Sequence, residues 1–380
     1  GANGSRRRAR LVPPQEVFYG ACMSEDRQAV FAGTREVKER HRFDVARLED
    51  HLTRHLDGFA GPLAVKEFRG GQSNPTYLLE SPARRYVLRR KPPGALLPSA
   101  HAVDREYRVL SALVGTPVPA PRPLCLCTDD AVIGTWFYVM EYVEGRVVWE
   151  PLMPGFTPAE RRAVWASMVE SLAALHAVDW RARGLADFGR PGNYFARQIA
   201  RWSKQYAASA TEEIAEMDRL MEWLPRHVPA GDDDTTLIHG DFKLDNAILH
   251  PSEPRVVAIL DWELCTLGHP LGDLTYLCMP WWQASVYQGI DHAGLGIPTE
   301  EEIVADYCRR TGRAGIDDWS FYVAYNFFRA AAICQGIGGR VRDGTAASEH
   351  AVMMAALVRP LAEQAWAAVE RSGGRRSPPR

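Results

Sequence analysis

The sequence predicts an α+β fold in two lobes, a small β-rich N-terminal lobe followed by a large, mainly helical C-terminal lobe. Between residues 63 and 142, short runs rich in β-branched and aromatic residues alternate with Gly and Pro turns, as is typical of strands. From Thr157 onward, apolar residues recur mainly at helical spacing. A short β insert between residues 235 and 261 interrupts this helical part. The 380 residues suffice for one bilobal domain.

The N-terminal lobe is predicted over residues 41–143, after a polar, Arg/Gly-rich leader of residues 1–40 that is expected to be disordered. A helix is expected from Asp44 to about Leu56, because its apolar residues share one face. A second helix is expected around residues 103–114 for the same reason. Turn-forming residues bound each of the predicted strands, which are 63–68, 76–79, 86–90 and 136–142.

The C-terminal lobe is predicted over residues 144–371, and the polar residues 372–380 are expected to form a disordered tail. Thr157 and Glu160 have the spacing of a capping box, and Pro158 occupies the first helical position between them. Further helices are expected at 194–224, 299–312, 317–337 and 346–371.

Composition excludes several classes of protein. The formal net charge of −2 argues against a nucleic-acid binder, which needs a concentrated basic surface. The longest apolar runs fall short of the ~18 residues that a membrane span requires, so no membrane partner is expected. The seven cysteines lack metal-ligand spacing and are expected to be reduced thiols. We therefore expect a cytoplasmic protein, and the sequence carries no signal for a particular oligomeric state.

The β insert contains the residues whose side chains could take part in catalysis or metal binding. A strand at residues 235–238 leads into the pattern His-Gly-Asp-x-x-x-x-Asn, which runs from His239 through Asp241 to Asn246. A hairpin follows, and it ends at Asp261. If the hairpin turn is symmetric, Asn246 faces Ile259, and Asp261 lies on the same face within roughly 7 Å. Carboxylate and carboxamide oxygens are ligands that Mg²⁺ prefers beside substrate phosphates.

The same segment fits phosphoryl transfer, in which a protein mainly positions the reactants and neutralises charge while one carboxylate accepts a hydroxyl proton. Asp241, in the loop before the hairpin, is the candidate for that carboxylate. Two other readings stay open. One is a non-catalytic nucleotide-binding module with the same fold. The other is a metallohydrolase centred on His239, Asp241 and Asp261, although the neighbouring His250 and His269 lack the spacing of converging ligands.

The motif from His239 to Asn246, followed by Asp261-Trp-Glu263 and Gly272-Asp273, resembles the aminoglycoside phosphotransferase/choline kinase family, whose members are related to protein kinases. The resemblance implies a protein-kinase-like fold, ATP and Mg²⁺ as cofactors, and a small-molecule hydroxyl as acceptor. It implies Asp241 as catalytic base and His239 as the residue that orders the loop. It further implies Asn246 and Asp261 as Mg²⁺ ligands, Glu263 as an auxiliary ligand, and Asp273 as a brace for the loop.

The resemblance also implies a nucleotide site in the N-terminal lobe. The turn Gly70-Gly-Gln-Ser73-Asn74 would cover the phosphates with its backbone N–H groups. Arg89 stands where kinases usually have a Lys, on the same strand face as Val87, and Glu106 on the following helix would pair with it. The strand at 136–142 would line the adenine pocket, and the residues expected to contact the base are Met140, Glu141 and Val143.

One subgroup is most similar, the phosphotransferase-like proteins related to the kinase domain fused to some acyl-CoA dehydrogenases. The likeness rests on residues 70–77 and 87–94, on Phe328-Arg329, and on residues 335–337. It favours a hydroxyacyl or CoA-type acceptor over an aminoglycoside. The acidic run Asp232–Asp234 is the candidate feature for a polycationic acceptor, and a solvated loop is its simpler interpretation.

Overall fold

The computed structural model describes residues 27–70, 74–92, 102–283, 286–287, 289–342 and 349–373. Its N-terminal lobe is built on an antiparallel sheet with the strand order β1-β2-β3-β4-β6-β5. These strands are β1 Thr34–Arg35, β2 Ala64–Phe68, β3 Thr76–Glu80, β4 Arg85–Arg90, β5 Pro123–Cys127 and β6 Phe137–Glu141. Three helices and a short 3₁₀ turn accompany the sheet: α1 Arg27–Phe31, α2 Val45–His55, α3 Val103–Leu113 and the turn Glu39–His41. A fourth, short helix, α4 Asp130–Ile133, lies between β5 and β6.

Both faces of this sheet are packed, and strand alternation decides which side chain joins which face. Leu88 and Val139 contribute to the small core beneath α2, together with Leu48 and Leu52 of that helix. Val87, one residue before Leu88, contributes instead to the main core that continues into the C-terminal lobe. Arg89 shares the face of Val87, as the sequence predicts, and is therefore directed toward α3 and the C-terminal lobe.

The expected disordered leader is too long. Residues 27–31 form α1, and β1 pairs with β2 in the register Thr34 to Phe68, which adds an edge strand to the sheet. Arg35 and Glu67 form an ion pair at 2.7 Å that secures this edge. The earlier part of the predicted leader, residues 1–26, lies outside the described residues, as does the predicted tail from residue 374.

The C-terminal lobe packs around α11, Trp319–Arg342, which contacts helices on several sides. The other helices are α5 Pro158–His176, α6 Tyr194–Ser209, α7 Ala215–Trp223, α8 Pro270–Trp282, α9 His292–Leu295, α10 Glu300–Thr311, α12 Glu349–Ala356 and α13 Val358–Gly373. The single helices expected at 194–224 and 346–371 are thus each divided in two. The capping box at Thr157 is confirmed, since the Thr157 hydroxyl accepts from Glu160 N and the Glu160 carboxylate accepts from Thr157 N.

The β insert contributes two small sheets at the junction of the lobes. One has the order β10-β9-β7 and the other pairs β11 with β8. The strands are β7 Arg146–Val147, β8 Thr236–Ile238, β9 Ala247–Leu249, β10 Val256–Ile259 and β11 Thr266–Gly268. Short 3₁₀ turns at Leu224–Arg226, Leu244–Asn246 and Trp262–Leu264 complete this region. Within the described part of the chain, no helix has the length and apolar character needed to cross a membrane.

Candidate active site

The loop of residues 239–246 is the candidate catalytic loop, and the hairpin after it has a register that differs from the symmetric prediction by one residue. Ile248 pairs with Ala258 rather than with Val257, because Val257 is an extra residue that bulges between two ladder positions. Asn246 therefore pairs with Leu260, whose N–H donates to the Asn246 carbonyl at 2.7 Å. Alternation along a regular strand consequently does not place Asp261 on the face of Asn246. Asp261 instead adopts a left-handed conformation with φ of 65°, which redirects the chain at this point.

Asp273, at the start of α8, holds the backbone of the catalytic loop in place. This buried carboxylate accepts N–H groups from His239 at 2.5 Å and from Gly240 at 2.8 Å. His176 Nε2 lies 3.5 Å from the same carboxylate. Burial acts to raise the pKa of Asp273, but these donors outweigh it and hold the pKa below its ordinary value. The contacts agree with the bracing role that the resemblance implies for Asp273.

His239 is fully buried and joins the loop to the end of the hairpin. Its Nε2 lies 2.9 Å from the carbonyl of Leu260, and its Nδ1 lies 3.2 Å from the backbone N of Asp241. A neutral ring with the proton on Nε2 satisfies both contacts, since Nε2–H donates and Nδ1 accepts. The side chain thus orders the loop and does not itself reach the cleft.

Asp241 is held by three side chains. Asn246 Nδ2 donates to Oδ2 at 2.9 Å, the Tyr276 hydroxyl donates to Oδ1 at 2.6 Å, and Lys243 Nζ lies 3.3 Å from Oδ2. Burial acts to raise the pKa of Asp241, but Lys243 and Tyr276 outweigh it, so the pKa lies below its ordinary value. Asp241 is therefore ionised at neutral pH and able to accept a proton.

Arg89 is the centre of a charge cluster that spans the two lobes. Its Nε lies 2.8 Å from Glu106 Oε2, its Nη2 lies 2.5 Å from Asp261 Oδ1, and the same nitrogen lies 3.6 Å from Glu263. Glu106 is 1% exposed and also accepts from Asn74 Nδ2 at 2.9 Å and from the Tyr138 hydroxyl at 3.0 Å. Burial raises the pKa of Glu106, while Arg89 acts in the opposite direction. The predicted Arg89–Glu106 pair is present.

The residues expected to hold Mg²⁺ present only hard oxygen donors, which is the donor type that Mg²⁺ requires. Asp261 and Glu263 are partly exposed, with 26% and 22% of their side chains accessible. In the described ranges, His, Cys, Asp and Glu side chains form no group of three or more that could hold a metal ion by itself. Proteins usually bind Mg²⁺ through one or two carboxylates, and substrate phosphates supply further ligands. The donor set of Asn246, Asp261 and Glu263 therefore fits this ion.

Comparison with known proteins identifies the family. Residues 64–307 match the family APH, described as the phosphotransferase enzyme family. The chain belongs to this family. It is 45% identical over 340 residues to acyl-CoA dehydrogenase family member 11 from Rattus norvegicus, covering 87% of this chain and 44% of the relative. The chain therefore spans less than half the length of this relative.

Solved structures agree with this assignment. A protein from Ralstonia eutropha JMP134, provisionally assigned as an aminoglycoside phosphotransferase, is 51% identical with a TM-score of 0.80, and the match covers 87% of this chain and 99% of the other. The aminoglycoside phosphotransferase APH(4)-Ia, in a complex with ADP and hygromycin B, is 16% identical with a TM-score of 0.56, covering 86% and 99% of the two chains. This second likeness concerns the fold. The kinase-like fold and the family predicted from the sequence are both confirmed.

The residues expected to contact the adenine lie at the end of β6 and in the segment that follows it. Met140 and Glu141 end β6, with Met140 buried, and Val143 lies in the connection to β7. The Glu141 carboxylate accepts from the backbone N of Arg122 at 2.9 Å. Asn74 is fully buried and joins Glu106 to Glu263, at 2.9 and 3.3 Å. Ser73 lies outside the described residues.

Sequence reasoning missed Lys243 and Tyr276 as neighbours of Asp241, the candidate catalytic base. Lys243 lies inside the motif, two residues after Asp241, and this short spacing could have predicted their contact. Tyr276 follows Asp273 by three residues, which puts both on one face of α8. Arg329 donates to the carbonyl of Gly240 at 2.9 Å, and its guanidinium lies 5.6 Å from the centre of the Tyr276 ring.

Proposed function

We propose that this protein is an ATP- and Mg²⁺-dependent phosphotransferase that transfers the γ-phosphate to a hydroxyl group of a small molecule. The observation that carries the proposal is the contact of 2.5 Å between Arg89 and Asp261. It brings the candidate phosphate-binding cation of one lobe to the candidate metal ligand of the other. Phosphoryl transfer depends mainly on such positioning of opposite charges around the phosphates.

The proposed mechanism assigns a role to each group of the chain. Asp241 accepts the proton of the acceptor hydroxyl while the acceptor oxygen forms a bond to the γ-phosphorus. The bond between the γ-phosphorus and its bridging oxygen breaks, and ADP leaves with the electron pair. Asn246 and Asp261, with Glu263 in support, would hold Mg²⁺, which supplies charge neutralisation at the phosphates. His239 keeps the loop in place through the Leu260 carbonyl.

Nucleotide binding is assigned to the N-terminal lobe. Arg89, oriented by Glu106, would reach the α- and β-phosphates, and the turn that contains Ser73 and Asn74 would cover them. Met140 would pack against the adenine, and the backbone of Glu141 and Val143 would hydrogen-bond to its edge. The kinase-like fold supports this arrangement.

The acceptor is proposed to be a hydroxyacyl or CoA-type metabolite rather than an aminoglycoside. A relative of 45% identity carries acyl-CoA dehydrogenase in its name. Two cations interact with Asp241: Lys243 forms an ion pair with it, and Arg329 interacts with it electrostatically. Both suit an anionic acceptor better than a polycation. The acidic run does not supply a polycation site, because Asp232 accepts two backbone N–H groups at the start of α6 and Asp234 pairs with Arg313.

A cytoplasmic location is proposed on two grounds. ATP and CoA esters are intracellular metabolites, and the cysteines in the described part of the chain are all free thiols.

A screen of metabolites with labelled γ-phosphate, analysed by mass spectrometry, tests the function and the acceptor together. Wild-type protein is expected to label at least one hydroxylated acyl compound. Asp241→Ala is expected to abolish transfer and to retain nucleotide binding, because Asp241 is the base and does not anchor the nucleotide. Nucleotide binding without transfer to any hydroxyl, including water, would favour the non-catalytic module instead. Equal transfer by Asp241→Ala would refute the assigned base.

A further inference from the structure

Two residues of helix α8 contact the catalytic loop from the same side. Asp273 and Tyr276 are three residues apart, so they lie on one face of the helix. Asp273 accepts the backbone N–H groups of His239 and Gly240, and Tyr276 donates to the side chain of Asp241. Asp273 thus holds the backbone of the loop, whereas Tyr276 contacts the carboxylate of Asp241.

The two oxygens of Asp241 have different surroundings. A carboxylate oxygen accepts about two hydrogen bonds. Oδ2 has two donors, Asn246 Nδ2 at 2.9 Å and Lys243 Nζ at 3.3 Å. Among the residues that the structure describes, Oδ1 has one donor, the Tyr276 hydroxyl at 2.6 Å. A lone pair of Oδ1 therefore remains for another donor, whereas Oδ2 is saturated.

Tyr276 is itself held in a defined position. The Arg329 guanidinium lies 5.6 Å from the centre of its ring, and the same side chain donates to the carbonyl of Gly240. Arg329 on α11 therefore contacts both the loop and the tyrosine, while Asp273 on α8 holds the backbone of the loop. The hydroxyl of Tyr276 has little freedom to leave Oδ1.

We propose that Tyr276 is a positioning residue that fixes Oδ1 of Asp241 as the oxygen that takes the proton of the acceptor hydroxyl. This inference rests on the proposed function. The proton passes to Oδ1 while the acceptor oxygen bonds to the γ-phosphorus, and ADP departs with the electrons of the broken bond. Without the Tyr276 hydroxyl the carboxylate can rotate, and Oδ1 spends less time in the productive orientation.

The test compares Tyr276→Phe with Tyr325→Phe, which removes another buried tyrosine hydroxyl four residues before Arg329 on α11. Transfer from labelled ATP is measured to a mixture of hydroxyacyl-CoA thioesters of varied chain length and hydroxyl position, and to water. Tyr276→Phe is expected to lower kcat by about 10- to 100-fold, which does not exceed the roughly 10²–10⁴-fold that a positioned base itself contributes, with KM for ATP and binding stoichiometry unchanged. Tyr325→Phe is expected to retain wild-type kcat.

A double-mutant cycle separates positioning from a general structural defect. If Tyr276 acts through Asp241, then Tyr276→Phe lowers the residual rate of an Asp241→Asn background by less than about twofold. A structural defect would lower both backgrounds by the same factor and would overturn the inference. Wild-type kcat in Tyr276→Phe would also overturn it and would leave the proposed function intact. Absence of transfer by the wild-type protein to the thioesters and to water would remove the proposed function and this inference together.

Discussion

Replacing Arg89 by Met should destabilise the protein through Glu106. The substitution keeps an unbranched side chain of similar length on β4 and removes the charge beside a carboxylate that is 1% exposed. Removing one partner of a buried ion pair typically costs about 3–5 kcal/mol. Asp261 and Glu263 lose the same partner, but their partial exposure lets water compensate. The loss of stability should therefore come mainly from Glu106.

This loss should depend on pH, because Glu106 can escape it by binding a proton. Burial already raises the pKa of Glu106, and loss of Arg89 raises it further. The folded variant then binds a proton that the unfolded chain, with a Glu pKa of about 4.3, has released, so its stability falls as pH rises. Each pH unit over which the variant binds this proton and the wild type does not adds up to about 1.4 kcal/mol to the deficit, so the deficit should be larger near pH 7.5 than near pH 5.5.

Denaturant unfolding of wild type and Arg89→Met at these two pH values measures the deficit. The matched control is Arg85→Met, which breaks an exposed pair with Glu144 at 2.7 Å. That control should change the free energy of unfolding by less than about 0.5 kcal/mol at either pH. An Arg89→Met deficit of equal size at both pH values would show that Glu106 is not its source and would refute this reasoning.

Three further substitutions have defined outcomes. Gly240→Ala, at φ of +86° with a new Cβ 2.7 Å from the Leu264 carbonyl, should cost at least about 2 kcal/mol in denaturant unfolding, whereas Gly184→Ala, at φ of +71° in open space, should cost about 1 kcal/mol. Equal losses of stability in the two variants would show that the contact between the new Cβ and the Leu264 carbonyl has no effect on stability. Asp261→Asn should weaken binding of a Mg²⁺–ATP analogue about 10-fold or more in calorimetry and affect metal-free binding much less; equal weakening would argue against a metal ligand. Thr157→Ala should lose about 1 kcal/mol of stability by the same unfolding assay, and no loss would mean that the cap is not needed.

The features predictable from the sequence are those with local causes. Alternation along β4 put Arg89 on the face of Val87, and the capping box at Thr157 marked a helix start, because both depend on residues a few positions apart. The pairing of Arg89 with Glu106 was predictable from the order of strand and helix once the family resemblance was recognised. Family and fold followed from motifs carried by consecutive residues.

Features that depend on tertiary detail escaped prediction. The bulge at Val257 shifts the hairpin register by one residue, and the sequence of the turn does not predict this bulge. The contact of Tyr276 with Asp241 joins residues 35 positions apart through the docking of α8 on the loop. The segment that forms α1 and β1 was predicted to be disordered because it is polar. An edge strand as short as Thr34–Arg35 leaves no periodicity from which it could be predicted.

On the proposed function, the charge balance around Arg89 explains why a divalent cation would accompany the nucleotide. Arg89 contacts three carboxylates, those of Glu106, Asp261 and Glu263, so this cluster carries more negative than positive charge. Nucleotide phosphates entering such a cluster alone would be repelled. A planar guanidinium can bind Glu106 through Nε and Asp261 through Nη2 at the same time, which a single ammonium group cannot do with the same geometry. On the proposed function, Arg89 would stay paired with Glu106 while Asp261 held Mg²⁺, and the bound cation would offset the negative charge that the nucleotide phosphates add.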